Sequence, residues 1–256
     1  MEIKRNQKYF TSKGINVILI VGLVICLLGA ILLFDGNTRP FGLVILLVGS
    51  AVAVYGSGAK SGEADIDNQI HGIVKDIPEQ AQIKHEVYER HFLKIINPVF
   101  LRGFDYSAED LLCKKGPDHK FRTQAYNAAQ LYFTKEKIYI YGRHLSLVDD
   151  SEGANYEISQ VIPYENVDSA FVEPATVKVA GRDVKVFYFV LKLKDGSEAL
   201  KISVEYGADV DKACDDINHV TEKMTILAAE RAADKAAKRA FLREQDAKKA
   251  AEAANA

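Results

Sequence analysis

The side chains from which catalysis or metal binding would be built are six histidines, three cysteines and several clusters of acids. His85 and His91 are six residues apart on one predicted helix, so they do not share a face as metal ligands at i and i+4 would. The remaining histidines, His71, His119, His144 and His219, lie far apart, and no His-Glu-x-x-His or paired-cysteine spacing is present. Cys113 would need a histidine and an orienting acid to act as a nucleophile, and no local spacing supplies them. There is no Gly-x-Ser-x-Gly elbow and no dinucleotide fingerprint. Gly56-Ser57-Gly58-Ala59-Lys60-Ser61-Gly62 has Ala59 where a phosphate loop requires glycine, and an apolar helix rather than a strand precedes it. Asp149, Asp150 and Glu152 read as a solvated turn rather than a cation loop. Asp209, Asp211, Asp215 and Asp216 are acids of a helix start and its outer face. No catalytic residue, cofactor-binding residue, metal ligand or small-molecule substrate is expected, so the chain reads as a non-enzyme.

The elements that would position a site begin with two apolar runs free of charged side chains, Ile15–Phe34 and Phe41–Tyr55. A bilayer core needs roughly 20 apolar residues. The first run reaches that length, and the second does so if it continues to Gly58. The six residues Asp35–Pro40 between them leave no room for a domain, which predicts a transmembrane hairpin over 15–58 with spans 15–34 and 41–58. Gly22 and Gly29 are seven apart, as are Gly42 and Gly49, and Gly49 with Ala53 forms a small-xxx-small pair. These five positions are expected to let the two helices pack closely where lipid offers no hydrophobic drive.

Lys4, Arg5, Lys8 and Lys13 precede the first run and only Arg39 lies in the connector. The positive-inside rule then places a basic N-terminus (1–14) in the cytoplasm and returns everything after the second span there. The chain reads as a multi-pass protein of the inner or plasma membrane. Cys26, Cys113 and Cys214 are isolated, which suits a reducing compartment. Residues 60–256 carry 28 basic and 33 acidic side chains, a net of −5, which argues against a nucleic-acid partner.

Residues 59–97 read as a helical linker of two helices. Ile66, Ile70, Ile73, Val74 and Ile77 recur at helical spacing, and Asp76-Ile77-Pro78-Glu79 restarts a helix whose face carries Ile83, Val87, Tyr88, His91, Phe92 and Ile95. From Val99 the pattern becomes β-like. The predicted strands are 99–106, 111–115, 122–134, 137–147, 156–163, 168–173, 185–193 and 198–204, with Lys194-Asp195-Gly196-Ser197 the strongest hairpin turn. Lys192, Lys194 and Lys201 mark a solvent face. A helix from Tyr206 follows, with Val210, Ala213, Cys214, Ile217 and Val220 on its apolar face. From Thr225 to Ala256 the chain is alanine-rich and charged, with alanines at an 11-residue rhythm that a supercoil can use. Alanine buries little area, which favours a solvated helical tail over a stable coiled coil.

Leu131–Tyr141, Ile162-Pro163-Tyr164-Glu165-Asn166-Val167, Leu191–Gly196 and the helix from Ala208 together resemble bacterial pleckstrin-homology-like and GRAM-like domains, which are often fused to short membrane hairpins. The resemblance covers residues 98–224. It implies an α+β chain: a two-helix transmembrane hairpin, a helical linker, an antiparallel β-barrel capped by a helix, and a long Ala-rich helical tail. Phosphoinositide-binding members carry a dense basic first hairpin. The nearest approach to it here is Lys114, Lys115, Lys120 and Arg122, which are the candidate lipid-headgroup residues. The expected function is a membrane-tethered scaffold that binds protein partners or self-associates. The alternatives are an anionic-headgroup sensor and an enzyme with an unrecognised site.

Overall fold

The computed structural model describes residues 2–11, 17–58, 61–179 and 181–254. Ile15 and Asn16 of the first predicted span, the exit residues Ala59 and Lys60, and the last two residues of the tail lie outside the described residues. The fold is α+β. Six helices (α1 Glu2–Thr11, α2 Val17–Leu32, α3 Arg39–Gly58, α4 Glu63–Val74, α5 Ile77–His85, α6 Ala208–Ala254) accompany nine strands. The strands are β1 Val99–Phe104, β2 Cys113–Lys115, β3 Phe121–Thr123, β4 Ala125–Phe133, β5 Lys137–Ser146, β6 Tyr156–Pro163, β7 Val167–Val179, β8 Arg182–Leu193 and β9 Glu198–Val204.

Helices α2 and α3 pack against each other as an antiparallel pair. Thr38 closes the connector by donating to the Leu32 carbonyl (3.0 Å). One helix, over Arg39–Ser57, is long and apolar enough to cross a membrane, while α2 is apolar but spans only 16 described residues.

All strand pairs are antiparallel, in a four-stranded sheet β1-β4-β5-β6, a three-stranded sheet β7-β8-β9 and a small β2-β3 ribbon. The sheets do not close into the expected barrel. At one junction Gly103 lies against the Ser203 carbonyl, where a Cβ would collide, and the Ser203 hydroxyl donates to the Phe104 carbonyl. This side-chain contact stands where ladder pairing between β1 and β9 would be. At the other junction Pro163 leads into a short 3₁₀ turn, Tyr164–Asn166, that separates β6 from β7. The Tyr164 hydroxyl anchors that turn by donating to the buried Thr134 carbonyl (2.8 Å).

Strand β4 is buried along its whole length because both of its faces are covered. Leu131 and Phe133 join Ile138, Ile140, Phe189, Leu191 and Ile202 between the sheets, and α6 seals that core with Ile217, Val220 and Met224. Tyr126, Ala128 and Tyr132 lie in a second core with Ile66, Ile70, Val74, Ile77 and Ala81 of α4 and α5. The linker helices are therefore a layer of the body. Tyr132 donates to the Pro78 carbonyl (2.8 Å) and Tyr141 to Gln80 (3.2 Å). Helix α5 ends earlier than expected. Glu86 takes a left-handed conformation (φ 53°), and the N–H groups of Glu86 and Val87 bond the carbonyls of Ile83 and Gln82, so His91, Phe92 and Ile95 do not continue its face.

The β7–β8 ribbon runs longer than the predicted 168–173 and 185–193. Pro174 is accommodated because β7 is an edge strand, and Gly181 (φ +78°) supplies the turn conformation. The Asn218 side chain of α6 both accepts from the Ala170 N–H (2.7 Å) and donates to the Ala170 carbonyl (2.8 Å), covering part of that edge. Helix α6 is continuous through the Ala-rich segment, and Phe241 and Leu242 on it are exposed.

Candidate functional site

The hairpin brings its five predicted packing residues to one seam. A Cβ on Gly22 would collide with Ala53. One on Gly29 would sit 2.5 Å from the Leu46 nitrogen, one on Gly49 2.5 Å from the Cys26 nitrogen, and one on Gly42 2.9 Å from the Gly29 carbonyl oxygen. Gly56, read from sequence as an exit, is a sixth seam residue, its virtual Cβ 2.7 Å from the Leu19 nitrogen. It extends the spacing of seven from Gly42 and Gly49. The opposite surface is a sleeve of exposed apolar side chains, including Leu23, Leu27, Leu43 and Leu47.

Helix α1 and Ser61, which precede and follow the hairpin in the chain, are bonded to each other and to the body. Residues 1–14, expected as a basic cytoplasmic segment, contain a helix whose Asn6, Tyr9 and Phe10 are buried. Asn6 donates to the Leu147 carbonyl (2.9 Å) and to Gln69 (2.8 Å), and accepts from the Ser61 hydroxyl (2.6 Å). The Ser61 N–H meets the Arg5 carbonyl (3.3 Å). Helix α1, Ser61, α4 and the loop after β5 therefore share one buried amide. The amphipathic spacing of Ile3, Asn6 and Phe10 was the signal for this helix, masked by the basic residues between them.

Three of the four candidate headgroup residues, Lys114, Lys120 and Arg122, are engaged within the protein, and Lys115 is exposed. Arg122 is only 4% exposed. Its guanidinium holds Asp67 through two bonds (2.9 and 2.7 Å) and Asp118 through two more (3.0 and 2.8 Å). Those bonds raise the Arg122 pKa and lower the Asp118 carboxyl to about 2. Lys120 pairs with Glu205 (2.8 Å), and that contact raises its pKa. Lys114 donates to the Tyr9 carbonyl (3.2 Å) and lies 4.1 Å from the centre of the Tyr9 ring, while Lys115 lies 5.4 Å from that of Phe121. Lys114, Arg122 and Lys120 fasten the β2–β3 ribbon to α1, α4 and the end of β9, while the contact of Lys115 stays within the ribbon. Sequence spacing grouped them correctly as one hairpin, but it could not display the acids that reach them from residues 67 and 205.

An open cleft of about 1060 Å³ lies beside the four-stranded sheet. Helix α4, the outer face of β1, the β2–β3 ribbon, the adjoining ends of β8 and β9, and the start of α6 line it. Seven of its lining residues are Phe or Tyr. Phe187 stacks on Tyr206 (ring centres 4.4 Å apart), and Phe104 meets Tyr126 edge-on (5.0 Å). The Tyr206 hydroxyl donates to Asp211 (2.7 Å), which fixes an exposed ring at the rim. Arg102, exposed on β1, carries no ion pair among the described residues.

Burial pushes the thiols of Cys113 and Cys214 up to about 11, which opposes thiolate formation. His85 meets the Ile140 carbonyl (3.0 Å), His91 accepts from the Tyr88 N–H (3.2 Å), and His144 lies against Asn127 (2.7 Å). No cluster of three or more potential metal ligands occurs among the described residues. Asp149 is engaged within its own loop, where it accepts from the Ser151 N–H (2.9 Å). Comparison with protein-family models, curated proteins and solved structures finds no match to this chain.

Proposed function

We propose that this chain is a membrane-tethered, non-enzymatic interaction module whose α2–α3 hairpin spans the bilayer twice and whose body works as a pleckstrin-homology-like scaffold for a protein partner at the cytoplasmic face. The observation that carries the reading is the glycine seam of the α2–α3 hairpin inside a sleeve of exposed apolar side chains. Exposed leucines around a glycine seam suit hydrocarbon, where association depends on close van der Waals approach. Asn6, before the hairpin in the chain, and Ser61, after it, bond each other, and Asn6 bonds the body, which suits a scaffold held near a membrane. The strand order, four then three with a closing helix, supports the pleckstrin-homology-like reading. Two of the four cations of the headgroup-sensor alternative, Lys120 and Arg122, are paired with acids of this chain, which favours the protein-partner reading.

The test uses the full chain in cells. It should remain in the membrane fraction through alkaline carbonate, and a reporter fused after Ala256 should be active on the cytoplasmic side. Release by carbonate would refute the tether, and reporter activity on the outer side would refute the orientation.

A further inference from the structure

We infer that the cleft along β1 is a docking site for a polypeptide segment that places an acidic side chain beside an aromatic one, with Arg102 and Lys185 receiving the acid and the Phe187–Tyr206 stack receiving the ring. This rests on the scaffold reading above and names the partner's chemistry.

The charge balance of the cleft carries the argument. Asp67 is bonded to Arg122, and Lys120 to Glu205, so these four lining charges are satisfied within the protein. Three charged lining residues remain outside such pairs: Arg102, Lys185 and Asp209. Asp209 lies in the first turn of α6, where the helix dipole favours an acid. The unanswered charge is therefore cationic and sits on two walls, β1 and β8. Arginine suits this role because its planar fork takes a carboxylate through two bonds.

The apolar part is arranged in advance. Tyr206 is held by Asp211 and stacked on Phe187, and Lys185 lies 5.0 Å from the Phe187 ring centre. A ring entering here meets fixed aromatic faces, which lowers the ordering cost of binding. At about 1060 Å³ the cleft is at the large end of ligand sites, so it has room for several side chains.

The experiment selects a random twelve-residue peptide library on phage against the detergent-solubilised full chain. Enriched peptides should carry Asp or Glu within a few residues of Trp, Tyr or Phe. A synthetic copy of the best peptide should bind Arg102→Glu about ten- to hundredfold more weakly, the range for one charge-assisted contact. Exchanging the peptide's acid for lysine should restore binding to Arg102→Glu. Lys185→Glu provides a second readout in the same direction, and unchanged thermal melts verify that both exposed-site variants fold. Failure of enrichment, a consensus without an acid, or equal binding to Arg102→Glu would overturn the assignment. Enrichment of purely aromatic peptides would do so too. A null library with carbonate-resistant, cytoplasmic protein would reject the cleft alone. Release from the membrane would reject the tether whatever the peptides do.

Discussion

The α2–α3 seam and the core between the two sheets achieve close packing by opposite means. In the seam, contact is made by leaving side chains out: Gly22, Gly29, Gly42, Gly49 and Gly56 bring one helix backbone against the other. In the body, contact is made by filling space: Phe133, Phe189, Leu131 and Ile217 are 2% exposed or less and meet one another. The difference follows from the solvent each region suits. Water drives large apolar side chains together at roughly 25 cal/mol per Å² buried. Lipid gives no such drive, so helices gain only from proximity. The two regions should therefore respond to substitution with opposite signs, large-to-small harming the body and small-to-large harming the seam.

The largest effect should come from Phe189→Ala in the body. Removing a fully buried ring costs about 3–5 kcal/mol, which lowers the melting temperature of a body this size by on the order of 10 °C. Circular dichroism melts of the detergent-solubilised chain check it. Leu47→Ala on the exposed hairpin surface should leave the same melt within roughly 1 °C, as surface changes away from such features usually do.

The complementary substitution is Gly49→Leu. It places a side chain where a Cβ would already be 2.5 Å from the Cys26 nitrogen, an overpacking cost of about 1–3 kcal/mol. The Cys26 sulfur lies 3.5 Å from the Ser50 hydroxyl oxygen, so Ser50→Cys should crosslink to Cys26 on oxidation. Adding Gly49→Leu should abolish most of that crosslink while the body's melt is unchanged. An undiminished crosslink would contradict the seam.

Arg122→Met sharpens the comparison inside the body, where a buried cation is tolerated only because acids answer it. The loss leaves Asp67 and Asp118 free to resolvate, since both are about half exposed, so the cost should be about 2 kcal/mol rather than the 3–5 of a fully buried pair. A melting-temperature drop of roughly 4–8 °C would agree. No drop would mean that the guanidinium is not structural.

The smallest effects are those of pH. Burial holds the His144 imidazole below its ordinary value, against the opposite pull of Asp105 at 3.5 Å. As pH falls through about 6.5 the unfolded chain takes up this proton more readily than the folded one, so stability declines on acidification. His144→Gln should flatten the part of the profile that begins as pH falls through about 6.5. Asp118 acts lower: its contribution is complete above the ordinary carboxyl value near pH 4 and is lost as pH falls through about 2, and Asp118→Asn should remove it. Thermal melts across pH for the three proteins provide the measurement.

Much of this architecture was legible in the sequence because its signals are local. The glycine spacing identified the seam and Asp195-Gly196 identified the β8–β9 turn, while the strand expected over 122–134 is divided into β3 and β4. What escaped depends on partners distant in the chain. The burial of α1 requires Leu147, 141 residues from Asn6. The use of Lys120 and Arg122 as internal ties requires Glu205 and Asp67. The β7 extension escaped for a different reason: Pro174 reads as a strand breaker until the strand is known to be an edge. The aromatic cleft was illegible because its walls come from residues between 67 and 210, and no local window contains them.

The account's central claim, that the hairpin lies in hydrocarbon and the body does not, has a direct optical test because the chain contains no tryptophan. Leu47→Trp and Leu27→Trp, each on the exposed hairpin surface, and Tyr156→Trp on the body would be measured separately in nanodiscs of acyl-brominated phosphatidylcholine. The account predicts strong quenching at 47 and 27 and none at 156. Equal fluorescence at all three positions, with or without bromine, would contradict it.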